Sequence, residues 1–227
     1  MNRSGSMRLA LAVGVLVVMT LALAGCGGPS QGEAGGQEPL ARPLPKESKG
    51  LQPGEYRSRK FEPSVSFRIG KGWQLEEETS GALVIKRSNG AGMAFMKVQG
   101  VYKPLPEADK TSMPTLVKAP EDLVGWLQDN PYLKVEGLEP ITVGGVKGQQ
   151  FTIVADVPKD RYSMCGADCV DAIEVPDGPL AYYEGEKLHA IVLDVKGDTV
   201  YIDYGGDSAN FYKMARKVRD SVEWKGA

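Results

Sequence analysis

Residues 188–204 read LHAIVLDVKGDTVYIDY, and this stretch decides the fold class. Two apolar runs, 188–195 and 199–204, flank Lys196-Gly197-Asp198, a tripeptide whose residue types favour a tight turn. Apolar runs of this length on either side of a short turn predict a β-hairpin. We therefore expect this part of the chain to form antiparallel sheet.

Further strand signals precede that hairpin. Short runs with the alternation of half-buried strands, or with strand-like apolarity, cover residues 65–69, 73–75, 82–86, 133–135 and 141–143. Residues 93–101 are apolar on both faces, which is typical of a central strand. Gly144-Gly145 predicts a turn that leads into a long return strand over residues 146–157.

Two segments carry helix signals, and a loop rich in proline is expected over residues 102–118. The first helix begins at Pro120, a residue that a first helical turn tolerates, and ends before Asn130-Pro131. The second helix is capped by Asp207 or Ser208. Its apolar residues recur three and four positions apart, at Phe211, Met214, Val218 and Val222. Together these elements predict an α+β domain, an antiparallel β-sheet with two main helices packed on it.

A family resemblance extends over much of this region. Residues 61–73 (FEPSVSFRIGKGW), 126–143 (WLQDNPYLKVEGLEPITV) and 195–224 resemble poorly characterised bacterial extracytoplasmic proteins that are similar to the Mog1/PsbP-like group. The resemblance implies an α/β/α sandwich in a family used for binding and assembly rather than catalysis. It carries no shared binding motif, so no site residue transfers from the family.

The N-terminus has the layout of an export signal. Arg3 and Arg8 precede an apolar run over residues 9–23, which is shorter than the roughly 20 residues that a membrane-spanning helix needs. The following Leu23-Ala24-Gly25-Cys26 resembles the lipobox of bacterial lipoproteins, which implies cleavage before Cys26 and lipid attachment to its thiol. We expect residues 1–25 to be a signal peptide and Cys26 to anchor an extracytoplasmic protein to the cell membrane. An ordinary secreted protein and a short signal anchor are the alternatives.

Composition divides the rest of the chain into a tether and one domain. Residues 26–53 are mostly glycine, proline and polar residues, which predicts a flexible tether, and residues 54–227 have the length of a single globular domain. Removing the signal peptide leaves 25 basic and 29 acidic residues, a net charge of −4. A mildly acidic domain is a poor candidate for nucleic-acid binding, so the expected partners are the membrane, through the lipid, and an unknown protein or small ligand.

Cys165 and Cys169 are the cysteines that remain after lipidation of Cys26. Outside the cytoplasm such a pair favours a disulfide, and Gly166 eases the required turn. The alternative is a thiol redox or copper-handling protein in which Met164, Asp168 or His189 completes the site. The motif follows the long strand that ends at Val157 and leads into residues 170–179, which do not look helical, and this context favours the disulfide over the copper or redox site.

No catalytic motif accompanies these features. The single histidine, His189, lies in an apolar strand on the face of Ile191 and Leu193, which indicates a structural role. Six acidic residues between Asp156 and Asp177 match no calcium-loop spacing. We therefore expect no enzyme activity, catalytic residue, metal or cofactor, and interpret the protein as a membrane-tethered binding module. A hydrolase with an unrecognised site is a further alternative, and tyrosines at 182, 183, 201 and 204 are candidates for an interface.

Overall fold

The computed structural model describes residues 41–106, 112–159, 162–206 and 208–225. Strands make up 53% of these residues and helices 10%, so the protein is mainly β. The predicted signal peptide, Cys26, Asp160 and Asp207 lie outside the described residues. Within the described ranges, neither helix has the length and apolarity needed to cross a bilayer.

The described chain forms two helices, α1 (Leu123–Gln128) and α2 (Ala209–Arg219), and eighteen strands. The strands in chain order are β1 (Arg42–Pro43), β2 (Lys49–Gly50), β3 (Gly54–Arg57), β4 (Val65–Ile69), β5 (Trp73–Glu78), β6 (Ala82–Arg87), β7 (Gly92–Lys97), β8 (Gly100–Tyr102), β9 (Leu116–Lys118), β10 (Leu133–Val143), β11 (Val146–Ala155), β12 (Tyr162–Ser163), β13 (Gly166–Ala167), β14 (Cys169–Val175), β15 (Gly178–Tyr183), β16 (Lys187–Val195), β17 (Asp198–Gly205) and β18 (Glu223–Trp224).

One large sheet, here called the central sheet, organises the strands. Its order is β10-β11-β16-β17-β7-β6-β5-β2, and every neighbouring pair is antiparallel. A four-stranded sheet has the order β1-β3-β4-β18, and a second, here called the outer sheet, has the order β15-β14-β8-β9. The remaining strands, β12 and β13, form a small ribbon.

The middle of the central sheet is buried on both faces, as strand β17 illustrates. Val200 and Ile202 belong to an apolar core shared with α2 and the β1-β3-β4-β18 sheet. Tyr201, between them, belongs to a separate core shared with α1 and the outer sheet. Because successive side chains in a strand point to opposite faces, β17 contributes to both cores at once. Strand β7 is buried on both faces in the same way, because Met93–Met96 are all buried. This double burial explains why residues 93–101 are apolar.

The predicted α+β fold, with two main helices packed on one sheet, is wrong. The face opposite α2 is covered mainly by the outer sheet, and α1 is only six residues long. Strand β9 lies inside the predicted loop at 102–118, while β14 and β15 come from a stretch with no predicted element. The α/β/α sandwich implied by the family resemblance is wrong for the same reason.

Both predicted hairpins are confirmed. Val195 pairs with Asp198 across Lys196-Gly197, which have φ angles of 61° and 85°. Gly144 and Gly145, with φ angles of 57° and 82°, form the equivalent turn between β10 and β11. Two successive residues with positive φ match the right-handed twist of the flanking strands, so these turns fix the register of both pairs.

The predicted C-terminal helix is also confirmed as α2. The Ser208 hydroxyl accepts a hydrogen bond from the Phe211 amide at 3.2 Å, which is the expected N-cap. Phe211 and Val218 are buried against the central sheet. Trp224, after the helix, donates its indole N–H to the Val143 carbonyl at 3.1 Å and so joins the C-terminus to β10.

The folded region begins before residue 54, the residue at which the sequence predicts that the domain starts. Leu44 and Leu51 are 1% and 5% exposed and belong to the core beneath α2. The Leu44 amide donates to the Arg57 carbonyl, and β1 pairs in parallel with β3. The end of the predicted tether, from Arg42, therefore belongs to the domain because its two leucines have apolar surface to bury.

Candidate functional site

A pocket of about 290 Å³, here called the His189 pocket, lies where α2 meets the central sheet. Its wall on the sheet includes a row across three strands, in which Thr152 is opposite His189 and His189 is opposite Tyr204. Directly opposed residues project from the same face, so strand register alone brings these side chains together. Arg216 and Arg219, three positions apart on α2, line the pocket from the helix side.

His189 is half-buried in this pocket, in agreement with the predicted burial of its face. Its Nδ1 lies 3.3 Å from the Thr152 hydroxyl oxygen. The ring stacks on Tyr204 at 5.4 Å and meets Tyr212 edge-on at 4.8 Å. Burial, followed by the positive charge of Arg216 nearby, lowers the pKa of His189. The imidazole is therefore neutral at physiological pH and offers one donor and one acceptor.

Arg219 is held in place by its neighbours. Its guanidinium contacts the Asp220 carboxylate at 2.7 Å, and its Nη1 donates to the Gln150 side-chain carbonyl at 3.3 Å. The amide nitrogen of Gln150 donates in turn to Glu139 at 3.1 Å. A single amide thus separates a guanidinium from a carboxylate, and both line the pocket.

Arg216 is the cation with most freedom to bind a ligand. It is exposed, and no ion pair to it occurs among the residues that the structure describes. Planar guanidinium groups match carboxylates and phosphates, to which they can donate two parallel hydrogen bonds. With a hydroxyl, an imidazole and an amide on the strand side, the pocket has the chemistry to bind a small anionic group.

The pocket lacks the arrangement of a hydrolytic triad in the described part of the chain. Thr152 and His189 form a hydroxyl–imidazole pair, but among the described residues no hydrogen bond joins a carboxylate to the other ring nitrogen. In hydrolases of this type, that carboxylate orients the imidazole. The pair offers hydrogen bonds to a ligand.

Cys165 and Cys169 form the predicted disulfide, with their α-carbons 6.3 Å apart. Asp168 takes a φ of 56° within the short loop that the bond closes. Behind the loop, the buried carboxylate of Asp171 accepts hydrogen bonds from the Ser163 hydroxyl and the Met164 amide. These bonds fasten the ribbon to β14.

The candidates for copper or calcium that lie in the described ranges do not assemble into a metal site. Across the described ranges, no group of three or more histidine, cysteine, aspartate or glutamate side chains is arranged to hold a metal ion. Asp156 pairs with Lys134, and Asp177 accepts a hydrogen bond from Thr79 at 2.9 Å. Asp160 lies outside the described residues.

The candidate interface tyrosines separate into different environments. Tyr182 and Tyr201 are fully buried and share a hydrogen bond of 2.8 Å between their hydroxyls. Burial raises the pKa of both phenols, so they are neutral. Tyr204 lines the His189 pocket, on the face opposite to Tyr201 as its spacing predicts. Tyr183, which is 51% exposed, is the member of the set available on the surface.

A second cavity, of about 660 Å³, includes the half-buried Asp203 and Glu186 in its lining. Burial and the negative charge of Glu186 raise the pKa of Asp203 to about 7. This carboxyl therefore changes charge near neutral pH. Asp203 lies on the same face of β17 as Tyr201, opposite to the face that forms the His189 pocket.

The sequence predicted a structural role for His189 and named Tyr204 as an interface candidate, but it did not predict that the two line one pocket. Thr152 and Gln150 could have been found from the register of β11 and β16, had that register been predictable. The three-residue spacing of Arg216 and Arg219 indicates that both lie on one side of the predicted helix. Nothing local in the sequence indicates that this side of the helix lies over His189.

Comparison with known proteins identifies no family. No protein-family description matches the chain, and no curated protein matches it. A crystal structure from Bacteroides thetaiotaomicron VPI-5482, determined at 1.50 Å resolution, is similar with a TM-score of 0.35 and 10% sequence identity. The similarity covers 77% of this chain and 49% of that one, so the chain spans about half the length of that protein.

Proposed function

We propose that this protein is a lipid-anchored, extracytoplasmic, non-enzymatic binding protein whose His189 pocket binds a small anionic solute. The observation that carries the proposal is the unpaired guanidinium of Arg216 facing a row of neutral hydrogen-bonding groups. An anion that enters this pocket gains a charge-assisted hydrogen bond from Arg216. It also meets the Thr152 hydroxyl and the neutral His189 ring.

The size of the pocket suits a small ligand. Its volume of about 290 Å³ lies at the lower end of the roughly 300–1,000 Å³ found for ligand pockets. Carboxylates and phosphates are the small groups that a guanidinium matches best. We therefore assign the pocket to small carboxylates or phosphates.

Thermal unfolding of the full-length protein in detergent tests this assignment at low ionic strength. A carboxylate or phosphate present at ten times its Kd stabilises the folded state by about 1.4 kcal/mol, which raises Tm by about 3–5 °C. We expect acetate or phosphate to give such a shift, and Arg216→Gln to remove most of it. Lys217→Gln makes the same change of charge on the neighbouring residue, which does not line the pocket, and should leave the shift intact.

Two outcomes would overturn the assignment. One is the absence of any shift with either anion up to concentrations at which bulk salt effects begin. The other is an equal loss in the Arg216→Gln and Lys217→Gln variants, because that result would indicate attraction by net charge rather than by the pocket.

The proposed anchor rests on the lipobox-like residues 23–26 and is tested separately. Cys26→Ser should either release the protein from the membrane fraction or leave an uncleaved precursor, since the lipid has no thiol to join. Intact-mass measurement of the unaltered protein should give the mass of a chain that begins at Cys26 and carries acyl groups. An unchanged mass and membrane partition in Cys26→Ser would contradict lipidation.

A further inference from the structure

We propose that the ligand of the His189 pocket is zwitterionic, with its anionic group on Arg216 and a cationic group on Glu139, as in a free amino acid. This inference rests on the proposed function, because it names the solute class for the same pocket. Its support comes from the charges of the pocket, a bulge in β10 and the polar bridge between opposite charges.

The charges of the pocket form one unpaired group of each sign. Asp220 neutralises Arg219, and the lowered pKa of His189 leaves that ring uncharged. Arg216 and Glu139 remain, and neither forms an ion pair with any residue in the described ranges. A simple anion satisfies only Arg216 and is repelled by Glu139. A solute with both charges complements both residues.

A β-bulge delivers Glu139 to the pocket. Glu136 pairs with Thr152, but the register then shifts so that Glu139, rather than Leu138, lies opposite Gln150. Gly137 allows this with a φ of 63°, and Gly137 itself lines the pocket. Bulges commonly re-aim a side chain at a functional site. Here the extra residue exchanges an apolar side chain for a carboxylate on the pocket side of the sheet.

The bridge through Gln150 holds Glu139 at the pocket without neutralising it. The Gln150 amide nitrogen donates to Glu139 and its carbonyl accepts from Arg219, so the carboxylate does not pair directly with this guanidinium. The charge of Glu139 therefore remains available to a ligand. The volume of about 290 Å³ also suits a solute as small as an amino acid.

Isothermal titration calorimetry on the full-length protein in detergent tests the inference with matched ligands. L-alanine is compared with propionate, and L-glutamine with 4-carbamoylbutanoate, so that each pair differs only by the ammonium group. We expect the tighter-binding amino acid to have a Kd about 1.4-fold to fivefold below that of its partner, a factor typical of a solvent-exposed ion pair. Glu139→Gln should abolish this preference and leave the affinity for the partner acid unchanged or slightly higher.

Glu136→Gln is the control, because it removes the same charge from the same strand at a residue that does not line the pocket. The preference should persist in that variant. If the acids bind as tightly as the amino acids, or if Glu139→Gln keeps the preference, the zwitterion inference fails and the anion site stands. If neither acids nor amino acids bind, the anion site fails as well.

Discussion

Asp203 gives the fold a pH dependence that a single substitution removes. Its carboxyl is half-buried beside Glu186, and burial together with that charge raises its pKa from 3.8 to about 7. The folded state therefore holds a proton that the unfolded state has already lost at pH 5 or 6. Stability contributed by this group is complete below pH 4 and falls as the pH rises towards 7.

The size of the effect follows from the width of that pH interval. Each pH unit between the two pKa values costs about 1.4 kcal/mol, which sets an upper limit of about 4 kcal/mol. Since Asp203 retains some contact with solvent, we expect a loss of about 1–3 kcal/mol. Asp203→Asn keeps the shape of the side chain and cannot ionise. The variant should therefore gain stability relative to the unaltered protein by this amount between pH 4 and 7.

Urea unfolding at half-unit steps from pH 4 to 8 measures the difference between the two proteins. Taking the difference removes the contributions of groups that titrate equally in both, including His189. Asp129→Asn, which makes the same substitution at an exposed residue at the end of α1, is the matched control. A flat difference for Asp203→Asn, or one that falls with pH, would refute the reasoning.

Three further predictions concern stability. Leu44→Ala should lower the free energy of unfolding in urea by about 2–5 kcal/mol because Leu44 is a core residue. Leu116→Ala, at a side chain that is 48% exposed, should lower it little. Equal effects would show that Leu44 belongs to the tether and not to the core. Trp224→Phe leaves the buried carbonyl of Val143 without its donor and should lower the free energy of unfolding by about 1–3 kcal/mol. An unchanged midpoint of urea unfolding would contradict that hydrogen bond. Cys165 and Cys169 should resist alkylation until reduced, and replacing both by serine should cost about 2 kcal/mol; rapid alkylation of the native protein would favour redox chemistry.

Local patterns predicted the parts of the fold that local physics determines. The turns at Gly144-Gly145 and Lys196-Gly197 need two residues with positive φ, and both pairs contain the glycine that makes this conformation accessible. Ser208 was readable as a helix cap because its hydroxyl acts within the first turn. The disulfide followed from two cysteines four positions apart.

The outer sheet escaped prediction because its pairing is not local. Strand β8 pairs with β14 through Val101 and Ile173, which are far apart in the chain, and β9 has only three residues. The hairpin of β14 and β15 did carry a signal in Pro176-Asp177-Gly178, residue types that favour a tight turn in this order. Because the sequence did not predict the outer sheet, helices were expected to cover this apolar face of the central sheet.

The candidate site was predictable only in part for a similar reason. The apolar strand around His189 indicated its burial correctly. Its neighbours Thr152 and Tyr204 come from two other strands, and Arg216 comes from a helix that packs on the same face. The bulge at Gly137, which selects Glu139 for the pocket, depends on a register that no local pattern reveals.

The most direct test of the His189 pocket uses the fact that the protein contains a single histidine. In protein labelled with ¹³C-histidine, one imidazole signal reports on the pocket during a titration with acetate, propionate or L-alanine. Binding should shift this signal saturably and raise the pKa of His189, because a bound carboxylate offsets the nearby positive charge of Arg216. The Arg216→Gln variant should require a higher concentration for the same shift. A signal and a pKa that remain unchanged with all three ligands would contradict the assignment of this pocket as the binding site.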